Sequence, residues 1–233
     1  MKKRYCAFGV QENSNCKYEL RLARYVDIAR TIREEQKKKD HLYLLDIGCG
    51  VGRLIQYGGT KEIEWFGVDF NPKDLICASR RGPYRLVQNN ICEGIPFHSG
   101  QFDVAILSHV LEHLYDPQKV VEEAKRVLKS KGIIVVGVPM HTWFTYWVQK
   151  HIVPLFDRLT RHPHRSHVFH FTIASLKKML KDFEIEDIRG FRLFSASKVL
   201  PLENYYFFYR LSTWWGRHFP QLTAEVNCTA RKS

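Results

Sequence analysis

The chain has 233 residues, of which 45% are hydrophobic and 13% aromatic, and its formal net charge is +12. This composition allows one full hydrophobic core, so we expect a single domain over residues 1–233. No run of about 18 apolar residues and no apolar stretch after the basic start is present, so we expect a cytoplasmic protein without a membrane-spanning helix or signal peptide.

Hydrophobic periodicity predicts strands and helices that alternate along the first 140 residues. The N-terminal helical segment, residues 1–40, contains an amphipathic helix at 19–39. Strands are predicted at 42–48, 64–70, 84–90, 102–108 and 132–139. The last two are near-continuous apolar runs, which are typical of central parallel strands covered on both faces. The pattern indicates an α/β fold with a doubly wound sheet.

Capping signals mark the starts of three helices. Asn71 and Asp116 each precede a proline, which suits the first helical position, and Thr172 precedes a third amphipathic stretch. Two further strands are predicted at roughly 184–193 and 224–231, on either side of an aromatic loop that contains NYYFFYRLSTWW.

Residues 141–171 interrupt this alternation. We interpret them as a helical insertion that forms a lid over the site where a substrate, called the acceptor below, would bind. The segment is rich in histidine and aromatic residues and has prolines at 154 and 163. His162, His164, His167 and His170 are dense enough to raise the question of a metal. No cysteine or acid lies beside them, and the chain's six cysteines form no CxxC pair, so we predict no metal site.

The stretch LLDIGCGVGRL, residues 44–54, is typical of a strand that runs into a nucleotide-binding turn. Glycines 48, 50 and 52 would let a ligand approach the backbone. The carboxylate of Asp46 would repel a pyrophosphate but can hold an ammonium group. Asp69 lies 21 residues after Gly48, at the distance where an acid accepts hydrogen bonds from a ribose. The predicted ligand therefore has a ribose and a cationic tail.

Four segments together carry a resemblance to a known family: LLDIGCGVGRL, FGVDFNP, NNICEGIPFHSGQFDVAILSHVLEHLYDP and RVLKSKGIIVVGVP. They resemble the class I S-adenosylmethionine-dependent methyltransferases, in particular the small-molecule enzymes of methyltransferase type 11, over about residues 40–140. The resemblance implies a Rossmann-like, seven-stranded sheet of order 3-2-1-4-5-7-6 with an antiparallel last strand. It also implies S-adenosylmethionine as cofactor and S-adenosylhomocysteine as product.

The resemblance also implies which residues contact the cofactor. The methionine end would lie at Asp46, Gly48, Cys49 and Gly50, the ribose at Asp69, the adenine at Phe70, Asn90 and Ile91, and the methyl group near Ser108. The family often has aspartate where this chain has Asn90, whose carbonyl can still accept from the adenine amino group. Cys49 is interpreted mainly as a packing residue.

Methyl transfer needs a positioned acceptor and, for a hydroxyl, a base. A neutral histidine suits that role near pH 7. His109 is the first candidate and His113 and His167 are the next, although His109 or His113 could instead be a core or capping residue.

The excess positive charge lies in residues 1–39 and 140–233, outside the glycine-turn region. It indicates either a solvated basic face or a surface that attracts an anionic substrate or acidic phospholipid.

Our leading hypothesis is methyl transfer to a hydroxyl, or an amine, of a small-molecule, sugar or lipid-type acceptor that could be anionic, aromatic or lipid-linked. A nucleic-acid methyltransferase is the first alternative, but SHVLEH lacks the Asn/Asp-Pro-Pro-aromatic motif used on exocyclic amines. The second alternative is a non-catalytic cofactor-binding protein or a membrane-surface protein anchored by residues 141–160.

Overall fold

A computed structural model describes residues 23–59, 62–140, 170–192 and 206–233. Its strands are β1 (Leu42–Ile47), β2 (Ile63–Asp69), β3 (Tyr84–Gln88), β4 (Phe102–Ser108), β5 (Leu128–Pro139), β6 (Phe183–Phe191) and β7 (Glu225–Lys232). They form one seven-stranded sheet of order β3-β2-β1-β4-β5-β7-β6, in which β7 is antiparallel to both neighbours. The sheet order and the antiparallel last strand are thereby confirmed.

Three of the six described helices begin where the capping signals predict. They are α1 (Ala23–Gln36), α2 (Ile55–Gly58), α3 (Pro72–Ser79), α4 (Pro117–Val127), α5 (Ile173–Met179) and α6 (Tyr206–His218). The side chains of Asn71, Asp116 and Thr172 cap α3, α4 and α5. None of these helices is long and apolar enough to cross a membrane.

The core lies on both faces of the sheet. On one face α1 buries Ile28 and Ile32 against β1, β2, β4 and β5. On the other face α4 and α5 bury their apolar stripes against the alternate residues of the same strands. Each fully buried Ile or Leu contributes roughly 1.5–3 kcal/mol. Phe102 to Leu107 of β4 are all buried, which explains why this run is apolar except for Asp103.

Two sequence-based boundaries were wrong. Most of the predicted aromatic loop is helical and forms α6, which is held by a close contact with β6: a Cβ on Gly216 would lie 1.9 Å from the carbonyl oxygen of Gly190. The fifth strand begins at Leu128, not at residue 132, because Leu128 already pairs with Phe102 before an irregularity in the register. Gly132 therefore lies inside the strand.

The predicted insertion lies outside the described residues except at its end, His170 and Phe171. The described residues on either side of it, Met140 and Phe171, form a parallel bridge. Met140 and Phe171 therefore lie at the carboxyl end of β5, the same end of the sheet as the glycine turn.

Candidate active site

The glycine turn follows β1 at the point where the strand order reverses, which is where open α/β sheets bind ligands. Gly48, Gly50 and Gly52 all have positive φ angles, from 49° to 70°, a region that glycine enters without strain. A Cβ on Gly48 would lie 2.5 Å from a methyl group of Val110, whereas one on Gly50 would meet no described atom within 4 Å. The turn therefore packs against the chain after β4 and leaves the Gly50 backbone open to a ligand.

Asp69 joins the glycine turn to the end of β2. One of its carboxylate oxygens accepts from the backbone N–H of Gly50 at 2.8 Å, and the other accepts from that of Asn71 at 2.9 Å. Each carboxylate oxygen has a second lone pair, so Asp69 can still accept from two ribose hydroxyls.

Asp46 lies beneath the turn in a buried position, and its carboxylate accepts from the hydroxyl of Tyr84 at 2.9 Å. Burial, reinforced by the charge of Asp69 and opposed by the Tyr84 hydrogen bond, raises the pKa of Asp46 to about 7. A bound ammonium group would favour the ionised carboxylate. Sequence reasoning missed Tyr84, and its only signal is that it opens the third strand.

The residues predicted to hold adenine lie at the ends of β2 and β3. Phe70 is 74% exposed beside Asp69, while Ile91 is buried. The Asn90 amide nitrogen donates to Glu93 at 2.8 Å, and its oxygen accepts from the backbone N–H of Cys92 at 3.2 Å. The Asn90 oxygen keeps one lone pair for an adenine amino group.

Cys49 is a packing residue in this structure. Its sulfur lies 2.9 Å from the position that a Cβ on Gly67 would take, and burial raises the pKa of its thiol. The thiol therefore stays protonated, and only the backbone of Cys49 is placed to contribute to the ligand turn.

His109 belongs to a charged cluster after β4 that the sequence did not predict. Its Nδ1 lies 3.2 Å from Glu112, and its Nε2 lies 3.1 Å from Glu225 at the start of β7. Arg24 of α1 donates to Glu225 at 3.1 Å and has the same nitrogen 3.2 Å from the Nε2 of His109. We call these four residues the His109 cluster.

The electrostatics of the His109 cluster favour an imidazolium. Burial lowers the pKa of His109, but the hydrogen bonds with Glu112 and Glu225 outweigh it and raise that pKa above its usual value. Burial raises the pKa of Glu225, and His109 and Arg24 outweigh burial and lower it. Both ring nitrogens already face partners, so this geometry does not favour His109 as a free base.

The other catalytic candidates have different surroundings. His113 has a half-exposed side chain, with Nε2 3.9 Å from Glu112. Ser108 ends β4, and its buried hydroxyl has no hydrogen-bond partner among the residues that the structure describes. His167 lies outside the described residues, as do His162 and His164. In the described ranges no three metal-ligating side chains come together.

These features fit S-adenosylmethionine. Gly50 has an open backbone, Asp69 can accept from hydroxyls, Asp46 can pair with an ammonium, and Phe70 offers an exposed aromatic face. The doubly wound sheet has the strand order of the class I methyltransferase fold, and it carries a glycine turn after β1 and an acid at the end of β2.

Comparisons with known proteins find similarity to methyltransferases over part of the chain. Residues 45–136 match a family model described as a methyltransferase domain. An uncharacterized protein of Methanocaldococcus jannaschii is 36% identical over 94 residues, which are 40% of this chain and 43% of that protein. The ubiquinone biosynthesis O-methyltransferase of Psychrobacter cryohalolentis is 29% identical over 160 residues, which are 63% of this chain and 61% of that enzyme.

A solved structure from Thermotoga maritima, described as a SAM-dependent methyltransferase and possible histamine N-methyltransferase, superposes with a TM-score of 0.59 and 17% identity. The match covers 92% of this chain and 91% of that one. This likeness supports the fold alone.

Residues 45–136 thus match the methyltransferase-domain family, and the sheet has the fold of the class I S-adenosylmethionine-dependent methyltransferases, as the sequence motifs predict. It spans 43% and 61% of the lengths of the two relatives named above.

Proposed function

We propose that this chain transfers the methyl group of S-adenosylmethionine to a hydroxyl, or an amine, of a small-molecule acceptor. The main support is the packing of Val110 against Gly48, which brings the 3₁₀ turn Leu111–His113 up to the glycine turn. The groups that would hold a methyl donor and the groups that would contact an acceptor therefore lie at the same end of the sheet, the carboxyl end of its parallel strands.

The cofactor would be held by the residues around the two acids. Asp46 binds the ammonium group, the backbone of Gly48 and Gly50 lies along the methionine chain, Asp69 accepts from the ribose, and Phe70 and Ile91 contact the adenine. The sulfonium supplies a methyl group that is already activated. The protein's contribution is then to orient the acceptor and to exclude water, which accounts for much of the rate of such transfers.

If the acceptor is a hydroxyl, His113 is the described histidine best suited to take its proton. It is half exposed, and its Nε2 lies 3.9 Å from the carboxylate of Glu112. His109 is then a positioning residue that holds Glu112 and Glu225, and Ser108 lies at the end of β4 where the methyl group would face the acceptor. The role of His167 in the lid stays a prediction.

The charges near this turn favour an acceptor that donates hydrogen bonds. Within the described ranges, Glu112 and Glu225 each have one buried carboxylate oxygen without a hydrogen-bond partner. A buried acceptor left unpaired costs about 1–3 kcal/mol, so a hydroxyl or amine that reached these oxygens would bind favourably. The described residues give less support to an anionic acceptor. The name of the Psychrobacter relative, an O-methyltransferase, supports a hydroxyl.

The first test is calorimetric titration with S-adenosylmethionine and S-adenosylhomocysteine, with NAD as the negative control. Asp69→Ala should weaken binding of both sulfur compounds by about 10- to 100-fold, because charge-assisted hydrogen bonds contribute about 1.5–3 kcal/mol. Asp40→Ala is the matched control. It removes an exposed acid just before β1, at the opposite, amino end of the strand, and it should bind both sulfur compounds normally.

The second test is transfer of a labelled methyl group to a panel of phenols, sugars and amines. His113→Gln should lower kcat for hydroxyl acceptors and leave cofactor affinity unchanged. Cofactor binding without transfer to any acceptor class would favour the non-catalytic alternative, and transfer to RNA alone would favour a nucleic-acid enzyme. Unchanged affinity in Asp69→Ala would contradict the proposed cofactor site.

A further inference from the structure

The outer face of α6 carries an unusual surface. Phe207, Leu211 and Trp214 are 77%, 38% and 54% exposed. Their spacing places them on one side of the helix, because residues three, four and seven apart share a face. Such large apolar side chains in one exposed stripe indicate a contact surface.

The same stripe is basic. Arg210, Arg217 and His218 are exposed between and beyond the apolar residues, and α6 contains no acidic residue. The stripe borders an open groove of about 960 Å³ between α1, β6 and α6. The described residues that line this groove include five arginines, at positions 30, 33, 189, 210 and 217, and one acid, Asp27. We call the stripe and the groove together the α6 surface.

The described residues that line the groove are predominantly basic, with five arginines and a single acid, Asp27. Asp27 is already paired with Arg189 at 2.9 Å. Arg30 pairs with Glu34 at 3.0 Å, but both side chains are about half exposed, so the pair is strongly screened. An anionic partner is therefore the complementary one.

The packing of α6 against β6 fixes which side of the helix faces outward. Ser212 and Gly216, on the inner side of α6, are buried, and Gly216 packs against the Gly190 backbone with no room for a side chain. Rotation of α6 to bury Phe207 and Trp214 would break this contact. The apolar and basic groups are thus held outward on a rigid support.

We propose that the α6 surface docks on an anionic phospholipid membrane. Phe207, Leu211 and Trp214 would enter the headgroup region, while the arginines contact lipid phosphates. Interfacial helices combine these residue types on one surface. Single-stranded RNA also binds arginine and aromatic side chains, but Leu211 and Val26, which is 43% exposed, cannot stack on bases. The proposal does not depend on the methyl-transfer function.

The test is co-sedimentation of the full chain with vesicles of phosphatidylcholine alone and of phosphatidylcholine with 30% phosphatidylglycerol. We expect binding to the anionic vesicles. Arg210→Glu/Arg217→Glu should weaken it by about 30-fold or more, because each basic residue near an anionic surface contributes about 1 kcal/mol and 1.4 kcal/mol is tenfold. Phe207→Ser/Trp214→Ser should also weaken it, by at least tenfold.

Lys177→Glu/Lys178→Glu is the matched control. It makes the same change in net charge with exposed lysines of α5, on the opposite face of the sheet, and should leave vesicle binding within about threefold of the parent protein. The proposal is overturned if anionic vesicles bind no better than neutral ones, or if the two charge reversals weaken binding equally. It is also overturned if the serine variant binds normally, or if single-stranded RNA binds the α6 surface and anionic vesicles do not.

Discussion

Asp46→Asn should stabilise the fold at alkaline pH while it weakens cofactor binding. Asp46 is buried and lies near a second acid, so its ionised form is costly when no cation is bound. An asparagine keeps the shape and an oxygen that can accept from Tyr84, but it carries no charge. The same substitution removes the partner that we propose for the cofactor's ammonium group.

The size of this effect follows from the pKa of Asp46, which is about 7 in the fold against an ordinary value of 3.8. Above pH 4 the unfolded chain loses this proton, while the folded chain keeps it until about pH 7. The folded state therefore binds more protons over that interval, and this group makes the parent protein less stable as pH rises. At 1.36 kcal/mol per unit, the cost above pH 7 reaches about 4 kcal/mol, a large part of a typical total stability of about 5–15 kcal/mol.

Urea denaturation at pH 4 and pH 8, without cofactor, measures the effect. The gain in free energy of unfolding for Asp46→Asn should be near zero at pH 4 and up to about 4 kcal/mol at pH 8. Asp40→Asn, at an exposed acid, should show no such trend. An equal gain at both pH values, or a loss at pH 8, would refute the assigned charge state.

Three other substitutions test the packing and charges around the strand ends. Tyr84→Phe removes the hydrogen bond that lowers the pKa of Asp46, so the free energy of unfolding should fall by about 1 kcal/mol at pH 8 and less at pH 4, by urea denaturation. Gly48→Ala should cost about 1–2 kcal/mol from its positive φ alone and should weaken cofactor binding by calorimetry, with partial recovery when Val110→Ala is added. Asp103 accepts hydrogen bonds from two lysines, so Asp103→Asn should lower the free energy of unfolding by about 1–3 kcal/mol at pH 7. Because the pKa of Asp103 is lowered in the fold, the difference between the variant and the parent protein should shrink at pH 3, as measured by thermal unfolding.

The sequence was sufficient where the determinants are local. β4 was predicted with its observed bounds because it is a near-continuous apolar run. The helices α3 and α4 were located because their capping residues, Asn71 and Asp116, directly precede them in the sequence. α6 was missed because its apolar residues occur on both the buried and the exposed side, so no single apolar stripe marks a helix.

The composition of the site was less predictable than its location. The glycine turn and Asp69 follow a spacing that can be read along the chain. The partners of His109 cannot be read this way: Arg24 lies 85 residues away, and it pairs with Glu225 across 201 residues. A histidine at the end of β4 therefore looked like a free base, and only the folded chain brings both carboxylates to its ring.

The assigned state of His109 leads to a prediction for Arg24. In Arg24→Met, Glu225 keeps His109 as its only cationic partner in direct contact among the described residues, and a buried carboxylate that loses a partner costs about 3–5 kcal/mol at most. The positive charge of Arg24 also lowers the pKa of His109, so the variant should raise that pKa further.

The stability that a raised histidine pKa contributes is present below about pH 6.5 and is lost as pH rises through the folded value. The loss of stability in Arg24→Met should therefore be smaller at pH 6, where His109 is protonated, and should grow as pH rises through the folded pKa of His109 and Glu225 loses that cationic contact. Arg30→Met, which breaks only an exposed pair, should cost less than about 1 kcal/mol at either pH. If the Arg24→Met loss were the same at pH 6 and pH 9, the charge of His109 would not change between these pH values. A ring that stayed neutral throughout would not hold Glu225, and a role in taking the acceptor's proton would again be open to it.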